Sequence, residues 1–128
     1  MRINTIKFSS NCYQVATGSD DNTLKIWDLR KKGCAYTIPA HNQPISDIHW
    51  EESDSKFLLT CSFDGTFKLW NNRDWSVVKC YNAGETKLSG VSMTKDCSDI
   101  LIACSNDRTV KKWTNKKNVF DESHMLVD

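Results

Sequence analysis

Val15-Ala16-Thr17-Gly18-Ser19-Asp20-Asp21-Asn22-Thr23-Leu24-Lys25-Ile26-Trp27-Asp28 returns 43 residues later as Leu58-Leu59-Thr60-Cys61-Ser62-Phe63-Asp64-Gly65-Thr66-Phe67-Lys68-Leu69-Trp70-Asn71. It returns once more as Leu101-Ile102-Ala103-Cys104-Ser105-Asn106-Asp107-Arg108-Thr109-Val110-Lys111-Lys112-Trp113-Thr114. Trp27, Trp70 and Trp113 keep one spacing, as do Asp21, Asp64 and Asp107, and Ser19, Ser62 and Ser105. A fixed period of about 40 residues marks a stack of supersecondary units, each burying its apolar face against a neighbour. Residues that recur at one position therefore have a structural role to account for before any chemistry is assigned to them.

Outward from these stretches, the three copies cover about 1–44, 45–87 and 88–128. Each begins with a short apolar strand: Ile3, Ile6, Phe8, then Ile45, Ile48, Trp50, then Leu88, Val91, Met93. A second strand (Val15–Thr17, Leu58–Thr60, Leu101–Ala103) is apolar almost throughout, as a strand buried on both faces is. The tryptophan closes a third strand, and Cys34–Ile38 and Val77–Tyr81 form a fourth. The corresponding segment of the last copy, Phe120–His124, is a poor strand by propensity. Lys112 also stands where Ile26 and Leu69 stand, which suggests a more exposed face. The expected fold is all-β, with three four-stranded antiparallel units and a last unit lacking a good fourth strand.

Net charge is +1 over the 128 residues, so charge alone makes no case for a nucleic-acid surface. No apolar run approaches the length of a membrane span, and Met1–Phe8 lacks the apolar stretch of a signal peptide. The six cysteines include no C-x-x-C pair, so a zinc site is poorly supported and no metal or cofactor is expected. Cys61 and Cys104 align with Gly18, a position that wants a small side chain. Free thiols fit, and they fit a reducing compartment.

His41, Thr60 or Ser62, and Asp64 have the composition of a catalytic triad. The bland reading explains more. The His, hydroxyl, Asp and Trp set, with Trp27-Asp28 in the first copy, resembles the WD-repeat β-propeller family along the whole chain. That resemblance implies a structural hydrogen-bond chain through His41, Thr60, Asp64 and Trp70, with Ser62 on the same strand face as an alternative hydroxyl. Thr17, Asp21 and Trp27 repeat it in the first copy, where the His would precede residue 1. In the third copy Asp107 and Trp113 remain. Gly84 replaces the His and Ala103 the Thr, so Trp113 is expected to be held by packing.

The family implies a non-catalytic platform for protein partners. Three units are too few to close a ring of about 4–8 blades, so the chain is expected to be part of a longer protein. Thr37-Ile38-Pro39-Ala40-His41, together with Trp75 after Trp70, is similar to the WD-repeat splicing factors of the U4/U6 small nuclear ribonucleoprotein (the pre-mRNA-processing factor 4 type). This implies the last three blades of a seven-bladed ring, a nuclear location, and protein neighbours within the U4/U6 and U4/U6.U5 particles. A cyclophilin would bind through an N-terminal part outside this chain, and snRNA contact would be mainly indirect. No small-molecule substrate or membrane contact is implied. Two other functions stay open: a ubiquitin-ligase adaptor or chromatin platform, and direct RNA contact through Lys25, Lys68 and Lys111. Phe63, in a turn where the other copies have Asp20 and Asn106, is the leading candidate for a partner contact, beside Asn42 and Gln43.

Overall fold

The computed structural model describes residues 1–95, 99–104, 108–116 and 119–127, with side chains described as far as Thr114. Twelve strands follow in chain order. The first four are β1 (Ile3–Phe8), β2 (Gln14–Ser19), β3 (Thr23–Asp28) and β4 (Cys34–Pro39). Next come β5 (Ile45–Trp50), β6 (Phe57–Ser62), β7 (Thr66–Asn71) and β8 (Val77–Asn82). The last are β9 (Leu88–Met93), β10 (Asp99–Cys104), β11 (Thr109–Lys116) and β12 (Val119–Val127). They form three four-stranded antiparallel meanders, each in sequential order. β1, β5 and β9 are neighbours from sheet to sheet. All connections are local, so each sheet forms without a long crossover.

Burial is concentrated between the sheets. Ala16, Leu24 and Ile26 of the first sheet meet Ile45, Ile48, Trp50 and Leu58 of the second in one core. Leu59, Phe67, Leu69 and Tyr81 meet Leu88, Val91, Ile100 and Trp113 in the other. Phe67 anchors this second core, stacked on Tyr81 at 4.7 Å and edge-on to Trp113 at 4.8 Å. Truncating such a ring to alanine costs about 3–5 kcal/mol. Polar ties cross the same seams. Trp50 Nε1 donates to Lys7 O at 3.0 Å, and Ser46 Oγ to Leu88 O at 2.5 Å.

Gly18 shows why its repeat position is small. A Cβ there would lie 2.5 Å from Ile45 Cγ2, across the first seam. Its ladder partner is Leu24, and the same pairing joins Cys61 to Phe67 and Ala103 to Val110. The small set is thus Gly18, Cys61 and Ala103, not Cys104.

Two expectations about the third sheet are corrected. The first concerns register. Thr17 pairs with Lys25 and Thr60 with Lys68, but Lys111 pairs with Ile102. Four residues separate β10 from β11, where three separate the equivalent strands. Ile102, fully buried, therefore occupies the threonine position, and Ala103 lies one residue beyond it. The second concerns the fourth strand. β12 pairs with β11 from Thr109↔Val127 to Lys116↔Val119. A ladder is made by backbone groups, side-chain strand preferences span only about 1 kcal/mol, and polar residues suit an edge strand.

The outer faces differ from the seams. Phe8 is 66% exposed, whereas Trp50, its counterpart one copy on, is 5% exposed. Ile3, Ile6 and Leu101 are exposed as well, and Lys112 is half-buried.

Candidate functional site

The link from β4 to β5 carries His41 over the second sheet, where its ring is buried. Thr60 Oγ1, on β6, accepts the indole N–H of Trp70 at 2.9 Å and lies 2.8 Å from His41 Nε2. His41 Nδ1 lies 3.2 Å from Asp64 Oδ2 and 3.1 Å from Thr66 Oγ1. One tautomer satisfies the chain: Nδ1–H donates to Asp64, and Nε2 accepts the Thr60 hydroxyl proton. Burial pushes the His41 pKa down to about 4, and the Asp64 carboxylate only partly offsets that. The ring is therefore neutral at physiological pH despite its acidic neighbour.

Asp64 holds the turn between β6 and β7. Its Oδ1 accepts Thr66 N–H at 2.9 Å and Thr66 O–H at 2.6 Å, and its Oδ2 accepts Asn42 N–H at 3.1 Å. Burial alone would raise its pKa. These donors, with His41, hold it below the ordinary carboxylate value. Gly65 completes the turn at φ 83°, where a Cβ would lie 2.2 Å from Gly84 O.

This geometry does not suit nucleophilic catalysis. Thr60 is fully buried, and its oxygen already accepts from Trp70. Ser62 is not an alternative member of the chain. Its single hydroxyl proton is shared between Gln43 O at 3.0 Å and Pro44 O at 2.9 Å, and its oxygen accepts Asp64 N–H at 3.1 Å. It joins the turn to the incoming link. Thr66, on the Nδ1 side of His41, is a member that the sequence reading did not name, though its recurrence at 23, 66 and 109 is a visible signal.

In the first sheet Trp27 Nε1 donates to Thr17 Oγ1 at 3.1 Å, and Asp21 Oδ1 accepts Thr23 N–H at 3.0 Å. Trp113 is buried against Phe67. Asp107 and Asn106 lie outside the described residues. Gly84, at φ 115°, takes a backbone path that disfavours a histidine there.

Phe63 is half-buried in its turn, with the Lys87 ammonium 5.2 Å from the ring centre. Asn42 and Gln43 beside it are exposed. Asp20, one copy earlier, pairs with Arg2 at 3.4 Å and accepts from Asn4 Nδ2 at 2.8 Å. The recurring lysines have a local role that the sequence did not reveal. Lys68 Nζ donates to Ala40 O at 2.5 Å and Lys111 Nζ to Ala83 O at 2.8 Å. Both ammonium groups brace the links between sheets, which weakens the case for a phosphate-binding row. Among the described residues, no group of three or more His, Cys, Asp or Glu side chains is arranged to hold a metal ion.

The family model for the WD domain, G-beta repeat, matches residues 1–28 and 32–71. The chain belongs to the WD-repeat family. WD-repeat proteins are generally non-catalytic scaffolds, in keeping with the engaged His41 set. The chain is 32% identical over 72 residues to Protein HIRA of Dictyostelium discoideum, covering 48% of this chain and 6% of that protein. It is 36% identical over 58 residues to the Set1 complex component swd1 of Schizosaccharomyces pombe, covering 45% of this chain and 14% of that protein. This WD-repeat chain thus spans only a small part of those relatives' length. Its fold is similar to a chain in the crystal structure of a mitotic checkpoint complex. The TM-score is 0.86 at 20% identity, covering 97% of this chain and 40% of that one.

Proposed function

We propose that this chain is part of a WD-repeat propeller serving as a non-catalytic protein-interaction scaffold in the nucleus, within the U4/U6 and U4/U6.U5 spliceosomal particles. One observation carries the scaffold reading. The groups that resemble a triad satisfy one another in the interior. The turn they hold carries Phe63 beside exposed Asn42 and Gln43. A rigid turn presenting an aromatic ring among amides has the makings of an interface anchor. The splicing assignment rests on the Thr37–His41 junction and Trp75, and its partners are other proteins of the particle. The chromatin reading is favoured by the likeness to a Set1 complex component.

Affinity purification of the tagged protein from nuclear extract separates the two. The splicing reading expects U4 and U6 RNA to be enriched together with particle proteins. Recovery of a histone-modifying assembly without those RNAs would replace it with the chromatin reading.

A further inference from the structure

The rim opposite Phe63 carries a second surface. There the seam between the first two sheets opens into a groove of about 500 Å³ that continues into one of about 340 Å³, with Tyr13, Gln14 and Asn72 lining both. Its floor is rigid. Gln14 and Asn72 exchange amide hydrogen bonds at 3.1 and 2.9 Å, and Asn72 Nδ2 also donates to Ser55 O at 2.7 Å. Ser10 N–H donates to Ser55 Oγ at 2.9 Å across the seam.

Three of the five non-glycine residues with positive φ among the described residues, Cys12 (φ 67°), Ser55 (φ 57°) and Trp75 (φ 57°), lie on this rim; Asn22 and Arg108 lie elsewhere. A bulky residue at positive φ is a genuine outlier, and such residues cluster at ligand clamps and binding surfaces. Buried Trp75, edge-on to Trp50 at 6.0 Å, backs the half-exposed Tyr36 ring at 6.2 Å, and Tyr36 is the aromatic surface beside the groove.

The charges along it are unbalanced. Asp28 is bound by Arg30 at 2.8 Å and Asp54 by Lys56 at 3.4 Å. Lys31 and Arg73 are exposed and have no ion pair among the described residues. Arg30, Lys31, Lys56 and Arg73 line the two grooves against the carboxylates of Asp28 and Asp54, and this excess of cations, with the fixed amides and the exposed Tyr36 ring, complements a chain carrying carboxylates and an apolar side chain. Single-stranded nucleic acid fits less well, because it is held by successive bases stacking on open rings. The Tyr13 ring is already covered by the Arg30 guanidinium at 3.7 Å and Trp75 is only 7% exposed, which leaves Tyr36 as the exposed ring.

We propose that this groove binds an extended acidic segment of a protein partner, with an apolar side chain against Tyr36 and carboxylates paired to Lys31 and Arg73. The proposal rests on the scaffold reading but uses a rim distinct from Phe63. Its test is titration of the immobilised full chain with three probes: a synthetic acidic peptide with a central tryptophan, its lysine-substituted counterpart, and oligouridine. The acidic peptide should bind. Lys31→Glu with Arg73→Glu should weaken it about tenfold or more, Tyr36→Ala should also weaken it, and Phe63→Ala should leave it unchanged. These side chains lie in exposed turns or on an edge strand, and a thermal melt of each variant verifies folding. Absent binding, indifference to charge reversal, or equal binding of the lysine peptide would overturn the proposal. Oligouridine binding lost on charge reversal would overturn it in favour of nucleic acid. Any of these results would leave partner binding through Phe63 intact, so the two readings fail separately.

Discussion

The ring of His41 and the indole of Trp70 meet at one atom, Thr60 Oγ1, which lies 2.8 Å from His41 Nε2 and 2.9 Å from Trp70 Nε1. Removing that oxygen orphans two buried groups at once, each costing about 1–3 kcal/mol. Thr60→Val should therefore destabilise the protein by more than Thr17→Val, because among the described residues the Thr17 hydroxyl serves Trp27 alone. His41→Ala should cost roughly 1–3 kcal/mol. Urea unfolding midpoints of the three variants check the order.

Stability should depend on pH through His41. Its folded pKa of about 4 lies below the ordinary 6.5. As pH falls below about 6.5, the unfolded chain takes up the proton first. Stability is then full above that value and declines towards about pH 4, by on the order of 3 kcal/mol from this group. Asp64, also held low, adds a further loss once pH falls below its ordinary 3.8. Burial lowers the His49 pKa as well, so it adds to the same decline. Unfolding curves across this range should show it, and His41→Ala should make the part between pH 6.5 and 4 shallower without abolishing it.

Gly65 and Gly33 give a paired test of backbone geometry. Both have positive φ, but only Gly65 has a carbonyl where a Cβ would go, while nothing lies within 4 Å at Gly33. Gly33→Ala should cost about 1–2 kcal/mol from conformation alone, and Gly65→Ala distinctly more. Equal thermal shifts would contradict this packing of the turn against Gly84.

All six cysteines should titrate as free thiols in the unreduced, denatured protein. In the folded state Cys12, Cys34 and Cys80 are exposed, whereas Cys61 and Cys104 are buried. Burial pushes the Cys61 pKa up to about 12. Time-resolved labelling should show the exposed thiols reacting first and Cys61 only on unfolding.

Much of this was readable because tryptophan, aspartate and threonine recur at one interval, so the repeated units followed from alignment, while the His41–Thr60–Asp64–Trp70 set came from the resemblance to the WD-repeat family. The third sheet's register was not readable. Its strands are one residue further apart in the chain than the aligned copies imply, and a residue count cannot tell that Ile102, not Ala103, pairs with Lys111. β12 was hidden because its ladder depends on backbone pairing rather than on apolar side chains. Lys68 and Lys111 looked like surface charge, since nothing local shows that each reaches a carbonyl in the preceding link. Trp75's burial depends on Tyr36 of the neighbouring sheet, a contact with no sequence signature.

The exposed apolar face of β1 bears on behaviour in solution. Ile6 and Phe8 are open to solvent where Ile48 and Trp50 are buried against a neighbouring sheet. Open apolar faces drive association. The isolated chain should self-associate, and Phe8→Asp should shift it towards monomer in sedimentation velocity runs. A monodisperse monomer at high concentration with a cooperative melt would show that three sheets suffice.

The central claim is that a stable, chemically inert turn presents Phe63 to protein partners. Quantitative affinity purification of the protein with Phe63→Ala, next to wild type at matched thermal stability, tests it most directly. The account predicts that the variant stays folded and loses most of its co-purifying U4/U6 particle proteins. Undiminished recovery of those proteins by a folded Phe63→Ala variant would contradict it.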